Sequence, residues 1–288
     1  DGTAVMAGGI WAPPAAPEEF SFEAHRLPAA PLFAALGLPP AEGIAEADLD
    51  WKAGREPPLT GRLTLLDARW GDFPFDSVDT RISGTPGRSF RMTSLKLARG
   101  TDLSARGTGE LIMFPEQSLR LEVAVERLVL RYLKPLGILD DSDSTASGKI
   151  SVSGTPDEPR LDGTLTCTPG TVKPRIGFSS LYLTEGQLAF TGSKATLSAA
   201  LNDITGASIM VNGTAEMKKL VPSSFTLALS VPQPAKIDAL PALFNGSARG
   251  TVRFEGTPEA PLLRGEVTLE NGQLRTPQAP KKGAKDSL

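Results

Sequence analysis

The sequence predicts an all-β protein, one long antiparallel sheet built from ~102-residue repeats that each carry a short helix. Three observations lead there. The 288 residues include 29 Gly and 25 Pro, too many for a helix-dominated chain and well suited to many short strands and turns. Apolar and polar residues alternate with period two along most of the chain. A Pro-x-Leu-x-Gly motif recurs three times at constant spacing.

The motif copies are Pro57, Leu59 and Gly61, then Pro159 with Leu161 and Gly163, then Pro261, Leu263 and Gly265. The second and third lie in longer matching stretches, "SGTPDEPRLDGTLT" and "EGTPEAPLLRGEVTLENG". A short apolar segment precedes each copy: "PLFAALGLPP" at 31–40, "LRYLKPLGILDD" at 130–141 and "IDALPALFNG" at 237–246. Each reads as one or two helical turns closed by Gly, Pro or Asp. The expected organisation is a lead-in over 1–26, a first unit over 27–131, a second over 132–236, and the start of a third over 237–288 with a frayed end. The opening Asp1 suggests a piece of something longer.

The Gly-Thr-Pro segments read as tight reversals, and the following Pro suits the first residue of a strand because it has no N–H. After it, Leu161, Gly163, Leu165 and Cys167 share one face, as do Leu263, Gly265, Val267 and Leu269, and Leu59, Gly61, Leu63 and Leu65. Arg160, Asp162 and Thr164 occupy the opposite face. A Gly within a dry face marks either a bend of the sheet or the close approach of another backbone. "SLRLEVAVERLVL", "SFTLALSV", "GKISVSG", "TVRFEG" and "SIMVNG" alternate in the same way. One wet and one dry face is the pattern of an antiparallel sheet. About twenty strands are expected from the spacing of the signals. At ~4.8 Å per strand the sheet would run about 90 Å, and so many twisted strands must curl or fold over.

Composition and motifs exclude several functions. Lys and Arg total 30 against 33 Asp and Glu, so the chain has no basic footprint for nucleic acid. Cys167 is alone and reads as a buried thiol, with no disulfide framework or cysteine metal site. No run approaches the ~18 apolar residues of a membrane-spanning helix. "DSTASGKI" places Asp143 where a phosphate loop needs its first Gly. Asp140, Asp141 and Asp143 lack the Gly and distal Glu of a calcium loop and read as a solvated acidic turn. His25, the one histidine, has no nucleophile elbow near it. The Asn-Gly pairs at Asn212 and Asn245 read as turns first. Neither catalytic residues nor a metal or other cofactor is expected.

The motif stretches, together with "GRLTLLDARWGDFPFDSVDTRI" and "LKLARGTDLSARGTGEL", resemble the C-terminal repeat region of the TamB (translocation and assembly module) family, within the wider AsmA-like group. The resemblance covers about residues 27 to 280. It implies a sheet bent into a taco-like trough with a greasy interior. It also implies a non-enzymatic periplasmic protein of a diderm bacterium, held in the inner membrane by an N-terminal helix outside this chain. The implied work is outer-membrane biogenesis and phospholipid movement between membranes, beside an outer-membrane barrel of the insertase family. With that resemblance, the dry face becomes a groove for phospholipid acyl chains. Its expected lining is Leu119, Leu121, Val123, Val125, Ile150, Val152, Leu161, Leu165, Ile209, Val211, Phe225, Leu227, Leu229, Val252, Phe254, Val267 and Leu269. Two rival readings are an assembly module that acts through strand edges and a passive β spacer with a filled core.

Overall fold

The computed structural model describes residues 4–10, 19–35, 42–70, 73–136, 139–175, 178, 180–219, 221–237, 244–257 and 260–274. The strands are β1 (Ala4–Ile10), β2 (Glu19–Pro28), β3 (Glu42–Lys52), β4 (Leu59–Trp70), β5 (Phe73–Thr85) and β6 (Ser89–Arg99). They continue as β7 (Leu103–Ile112), β8 (Ser118–Val129), β9 (Leu139–Ser142), β10 (Thr145–Gly154), β11 (Pro159–Cys167) and β12 (Gly170–Pro174). The last are β13 (Leu181–Gly192), β14 (Lys194–Asn202), β15 (Ser208–Lys218), β16 (Val221–Ile237), β17 (Phe244–Thr257) and β18 (Ala260–Leu274). The α-helix α1 (Ala29–Ala35) and the 3-10 helix η1 (Leu130–Leu136) complete the described elements.

All 18 strands belong to one sheet. Each pairs antiparallel with its chain neighbour from β1 to β8. The meander then runs β8–β10–β11–β13 and on in order to β18. The segments β9 and β12 pair with each other, and β12 also pairs with β13. They are the far halves of two interrupted strands. The Asp143 N–H donates to Thr171 O at 3.1 Å and the Thr168 N–H to Thr145 O at 2.7 Å, which carries the ladder across the break.

Connections alternate between the two ends of the sheet. The helices α1 and η1 both follow a strand that ends on the same side. The reversals into β4, β11 and β18 lie at the other end. The helical segment expected at 31–40 begins earlier, at Ala29, and 36–40 lie outside the described residues. Most of the third one, 238–243, also lies outside them. The reversal before β11 is held by the Glu158 N–H, which donates to Thr155 Oγ1 at 3.0 Å. The reversal before β4 lacks the Gly-Thr-Pro sequence. There the Arg55 guanidinium fills the loop, donating to Asp50 O, Pro57 O, Pro58 O and Thr60 Oγ1 at 2.9–3.2 Å.

The motif glycines have one geometric cause. A side chain at Gly61 would fall 2.1 Å from Asp48 O, at Gly163 2.2 Å from Lys149 O, and at Gly265 2.3 Å from Thr251 O. In each case the backbone of the preceding strand occupies the space of a Cβ. Close approach, rather than a bend alone, therefore explains the residue.

Among the described residues there are one sheet and two short helices, and no second layer covers the dry face. Nevertheless Ala45 and Ile209 are 0% exposed, so the sheet curls over its own apolar side. Two clusters result. One gathers Leu49, Leu63, Leu65, Ile82 and Phe90 around Ala45, and the other gathers Phe178, Leu181, Leu183, Leu201 and Val231 around Ile209. The Tyr132 hydroxyl of η1 donates to Pro74 O at 2.9 Å, and its ring lies 5.6 Å from Phe73 and 6.3 Å from Phe75. Phe75 packs on the first cluster and Leu130, the first residue of η1, on the second. The short helix thus joins them. Burial pushes the Tyr132 hydroxyl up to about 12.

Two sequence readings are corrected here. Asn212–Gly213 and Asn245–Gly246 lie inside β15 and β17, not in turns. Asn212 sits opposite Ser198 and Ala228 on the wet face, while Gly213 lies between Leu197 and Leu227 on the dry one. Long pairing partners on both sides outweigh the local turn preference. The acidic run is likewise a strand interrupted at Asp143 and Ser144, not a turn. The Asp143 carboxylate accepts the Thr171 N–H across that interruption.

One buried carboxylate organises a reversal. Asp203, between β14 and β15, accepts from the Thr205 and Ala207 N–H groups, both at 2.8 Å, and from the Lys236 N–H of β16 at 2.7 Å. Burial opposes its charge, but the donors from Lys236, Thr205 and Ala207 outweigh that and hold the carboxyl below its ordinary value. A depressed folded value contributes stability above the unfolded value of ~3.9, and that contribution is lost as pH falls through the folded one. Asp203→Asn turns an amide donor toward a backbone donor and should cost about 1–3 kcal/mol at pH 7. Urea midpoints at pH 7 and below pH 4 check this, because the variant should lack the Asp203 part of the acid loss.

Thr80 Oγ1 is buried without a hydrogen-bond partner, and the residue is 7% exposed between Leu63 and Leu95 on the dry face. The isosteric Thr80→Val should stabilise the fold by about 1 kcal/mol, read as a raised melting temperature. Gly163→Ala should cost more than ~1 kcal/mol, measured in the same way.

Candidate functional site

The candidate site is the dry face itself. It is assembled by register, since directly opposed residues in an antiparallel pair share a face. One row can be followed from β2 to β18: Leu27, Ala45, Leu65, Val78, Leu97, Ala105, Val125 and Gly148, then Leu165, Leu188, Leu197, Gly213, Leu227, Phe254 and Leu263. Every member is apolar or Gly. At ~4.8 Å per strand the row spans about 65 Å.

All the residues expected to line the groove lie on this face. Leu121, Val152 and Leu161 form one cross-strand set, and Val123, Ile150 and Gly163 the next. Leu119 sits opposite Leu111, and Ile209 opposite Leu201. Val211, Leu229 and Val252 are in line with Gly265. Phe225 faces Ala215 and Gly256. Val267 and Leu269 face Gly250 and Ala248.

Burial differs along the face. Val152, Leu165 and Ile209 are buried, whereas Leu119 to Val125 of β8 and Phe225 to Leu229 of β16 are half-buried. At the β18 edge Val267 is 47% and Leu269 49% exposed.

The first third of the chain contributes to the same face, although none of its residues was among the expected groove lining. Leu49, Leu63 and Leu65, with Val78 and Leu97, extend it through β3–β6. Leu188, Phe190 and Leu197 carry it through β13 and β14. The missing signal was parity. In β13 the register shifts between Leu183 and Glu185, so Leu181 and Leu183 share a face with Gly186, Leu188 and Phe190. In β4 the change comes at Asp67, whose φ is +50°.

The two faces differ in charge. Cross-strand ion pairs join Arg62 to Asp79, Arg91 to Glu110, Arg106 to Glu126 and Arg249 to Glu270, all on the wet face. They are solvated and worth little individually, but they hold charge off the apolar row. Two hydroxyls beside the β9–β10 break, Ser142 and Ser144, are buried and satisfied by Thr171 O at 2.8 Å and Thr168 O at 2.7 Å. Cys167 is half-buried on the dry face, and burial pushes its thiol up. His25 is exposed, with Nε2 3.0 Å from Glu23 Oε1. Among the described residues no three His, Cys, Asp or Glu side chains gather as a metal site.

Residues 196–287 match the family model of the TamB C-terminal domain. That C-terminal third is TamB-like. The matched segment starts within β14 and takes in β15–β18, so the TamB-like part carries the least covered end of the apolar row. No curated protein and no solved structure matches the chain. Among the described residues no helix is long and apolar enough to cross a membrane.

Proposed function

We propose that the chain is a non-enzymatic part of a TamB-like protein of outer-membrane biogenesis, and that its dry face carries phospholipid acyl chains. The carrying observation is the uninterrupted apolar row from Leu27 to Leu263, with the ion pairs on the opposite face. An acyl chain gains about 0.8 kcal/mol per CH₂ on leaving water. A continuous apolar surface therefore removes most of the barrier to crossing an aqueous gap. Headgroups would remain at the rim, because the row itself offers them no polar partner.

The family resemblance supports a periplasmic site in a diderm bacterium, an inner-membrane anchor on another part of the protein, and an outer-membrane barrel of the insertase family as partner. The matching placement of α1 and η1, and of the reversals before β4, β11 and β18, supports a repeating unit of six strands. That unit is consistent with divisions at 27–131, 132–236 and 237–288.

A second reading, strand-edge assembly of outer-membrane proteins, is favoured by one observation. Among the described strands β18 pairs only with β17, and it exposes Leu263, Val267 and Leu269 on the dry side. A passive spacer would instead be lipid-free with a filled interior.

Native mass spectrometry and lipid extraction, on protein purified from a periplasm without detergent, test the conduit. Stoichiometric phospholipid is expected. The double variant Leu121→Asp, Leu227→Arg should lose most of it while its circular dichroism remains that of a sheet protein. A folded variant that keeps its lipid, or a wild-type chain with none, would sink the conduit.

A further inference from the structure

Outside β18, four large apolar side chains are exposed among the described residues: Phe114, Tyr182, Ile204 and Met210. Three of them share one place, the end of the sheet where β13 starts, β14 ends and β15 starts. Tyr182 and Met210 alternate with the buried Leu181, Leu183 and Ile209, so they lie on the wet face. Asn202 stands opposite both Tyr182 and Ser208, and Ala200 opposite Met210. Ile204 is 64% exposed in the β14–β15 reversal beside them.

The reversal holds Ile204 in place. The Asp203 N–H donates to Ala207 O at 3.0 Å, and the Gly206 N–H to Asp203 O at 3.1 Å. The Asp203 carboxylate ties the same reversal to the Lys236 N–H of β16. Single exposed apolar residues are ordinary, but a grouped and fixed set of them marks a contact surface. Its charged surroundings are ordered too. Lys173 faces Asp141, and Glu185 borders the set above Ala200. The outer flanks carry cations, Arg175 directly after β12 and Lys236 in β16.

The same strand ends carry the second apolar cluster on their dry side, with Leu181, Leu183, Leu201, Ile209 and Ala235. The rim is therefore apolar on both sides here, whereas the wet-face ion pairs of Arg62, Arg91, Arg106 and Arg249 lie on other strands. We propose that this rim contacts the surface of a phospholipid bilayer. Ile204, Tyr182 and Met210 enter the boundary between headgroups and acyl chains, and Arg175 and Lys236 meet the phosphates. Tyr suits that boundary because its ring is apolar and its hydroxyl polar. Three large side chains fall far short of the ~800 Å² per partner of a stable protein interface. A bilayer contact needs only a few inserted apolar groups together with attraction to anionic headgroups. The contact sets the second cluster beside the acyl layer, where lipid could enter or leave the dry face. That purpose rests on the lipid-carrying reading above, and the contact itself does not.

The test floats the 288-residue chain with vesicles of phosphatidylethanolamine containing a minor share of phosphatidylglycerol. Binding is expected. Ile204→Ser with Met210→Ser should weaken it at least about tenfold, and Ile204→Leu should retain it. Arg175→Glu with Lys236→Glu should weaken binding to these vesicles more than binding to vesicles of phosphatidylcholine alone. In a Cys167→Ala, Ile204→Cys chain, an environment-sensitive dye on the new thiol should shift to the blue when vesicles are added. Circular dichroism confirms that each variant is folded.

A wild-type chain that ignores vesicles, or a double Ser variant that binds them equally well, would overturn the proposal. Self-association that Ile204→Ser abolishes, without vesicle binding, would assign the patch to a second copy and overturn it too. The groove variant Leu121→Asp, Leu227→Arg should bind vesicles as the wild type does. Loss of binding there would place the attraction in the groove and not at the rim. The two readings can fail separately. A lipid-free chain that still binds vesicles through Ile204 removes the conduit and leaves the rim contact, and a lipid-filled chain that ignores vesicles does the reverse.

Discussion

A single sheet with one apolar side must find something to cover it, and the rest of the structure follows from that constraint. Stacked sheets cover each other and α/β sheets use helices. Here the described helices are α1 and η1, seven residues each. The sheet meets the requirement by curling, and only partly: Ala45 and Ile209 are sealed, while β8, β16 and above all β18 keep apolar surface within reach. A sheet that sealed its whole dry face would be a spacer. One that leaves a continuous part of it accessible can hold an acyl chain, which links incomplete burial to the proposed function.

Curling places side chains of neighbouring strands in competition for the same volume. Glycine relieves that competition. At Gly61, Gly163 and Gly265 the preceding strand's carbonyl already occupies the Cβ position. The empty place on the dry face then accommodates Ile82 and Phe190 from the next strand. The Pro-x-Leu-x-Gly motif is thus a packing rule.

Polar groups support the curl where it is interrupted. The β9–β10 break is closed by Ser142, Asp143 and Ser144, and the β14–β15 reversal by the Asp203 carboxylate. In both places backbone groups leave the regular ladder while buried, so they require side-chain partners. Thr80 is the exception, a buried hydroxyl among leucines with no partner.

Alternation, the abundance of Gly and Pro, and the three spaced motifs were enough to specify the all-β class, the antiparallel sheet and the dry-face membership of Leu121, Val152, Leu227 and Val252. These properties are local, because a strand's parity is set within its own few residues. Tertiary structure decided what depends on partners. The register shift after Leu183 puts Leu181 and Leu183 on the same face as Leu188 and Phe190, and no count of alternating residues across a bulge reveals that. Asn212–Gly213 became strand because β14 and β16 hold it on both sides, and the acidic run became a broken strand because β12 pairs with β9. Which strand covers which glycine is fixed only when the sheet has curled on itself, since that is a relation between chain segments and not a property of either one.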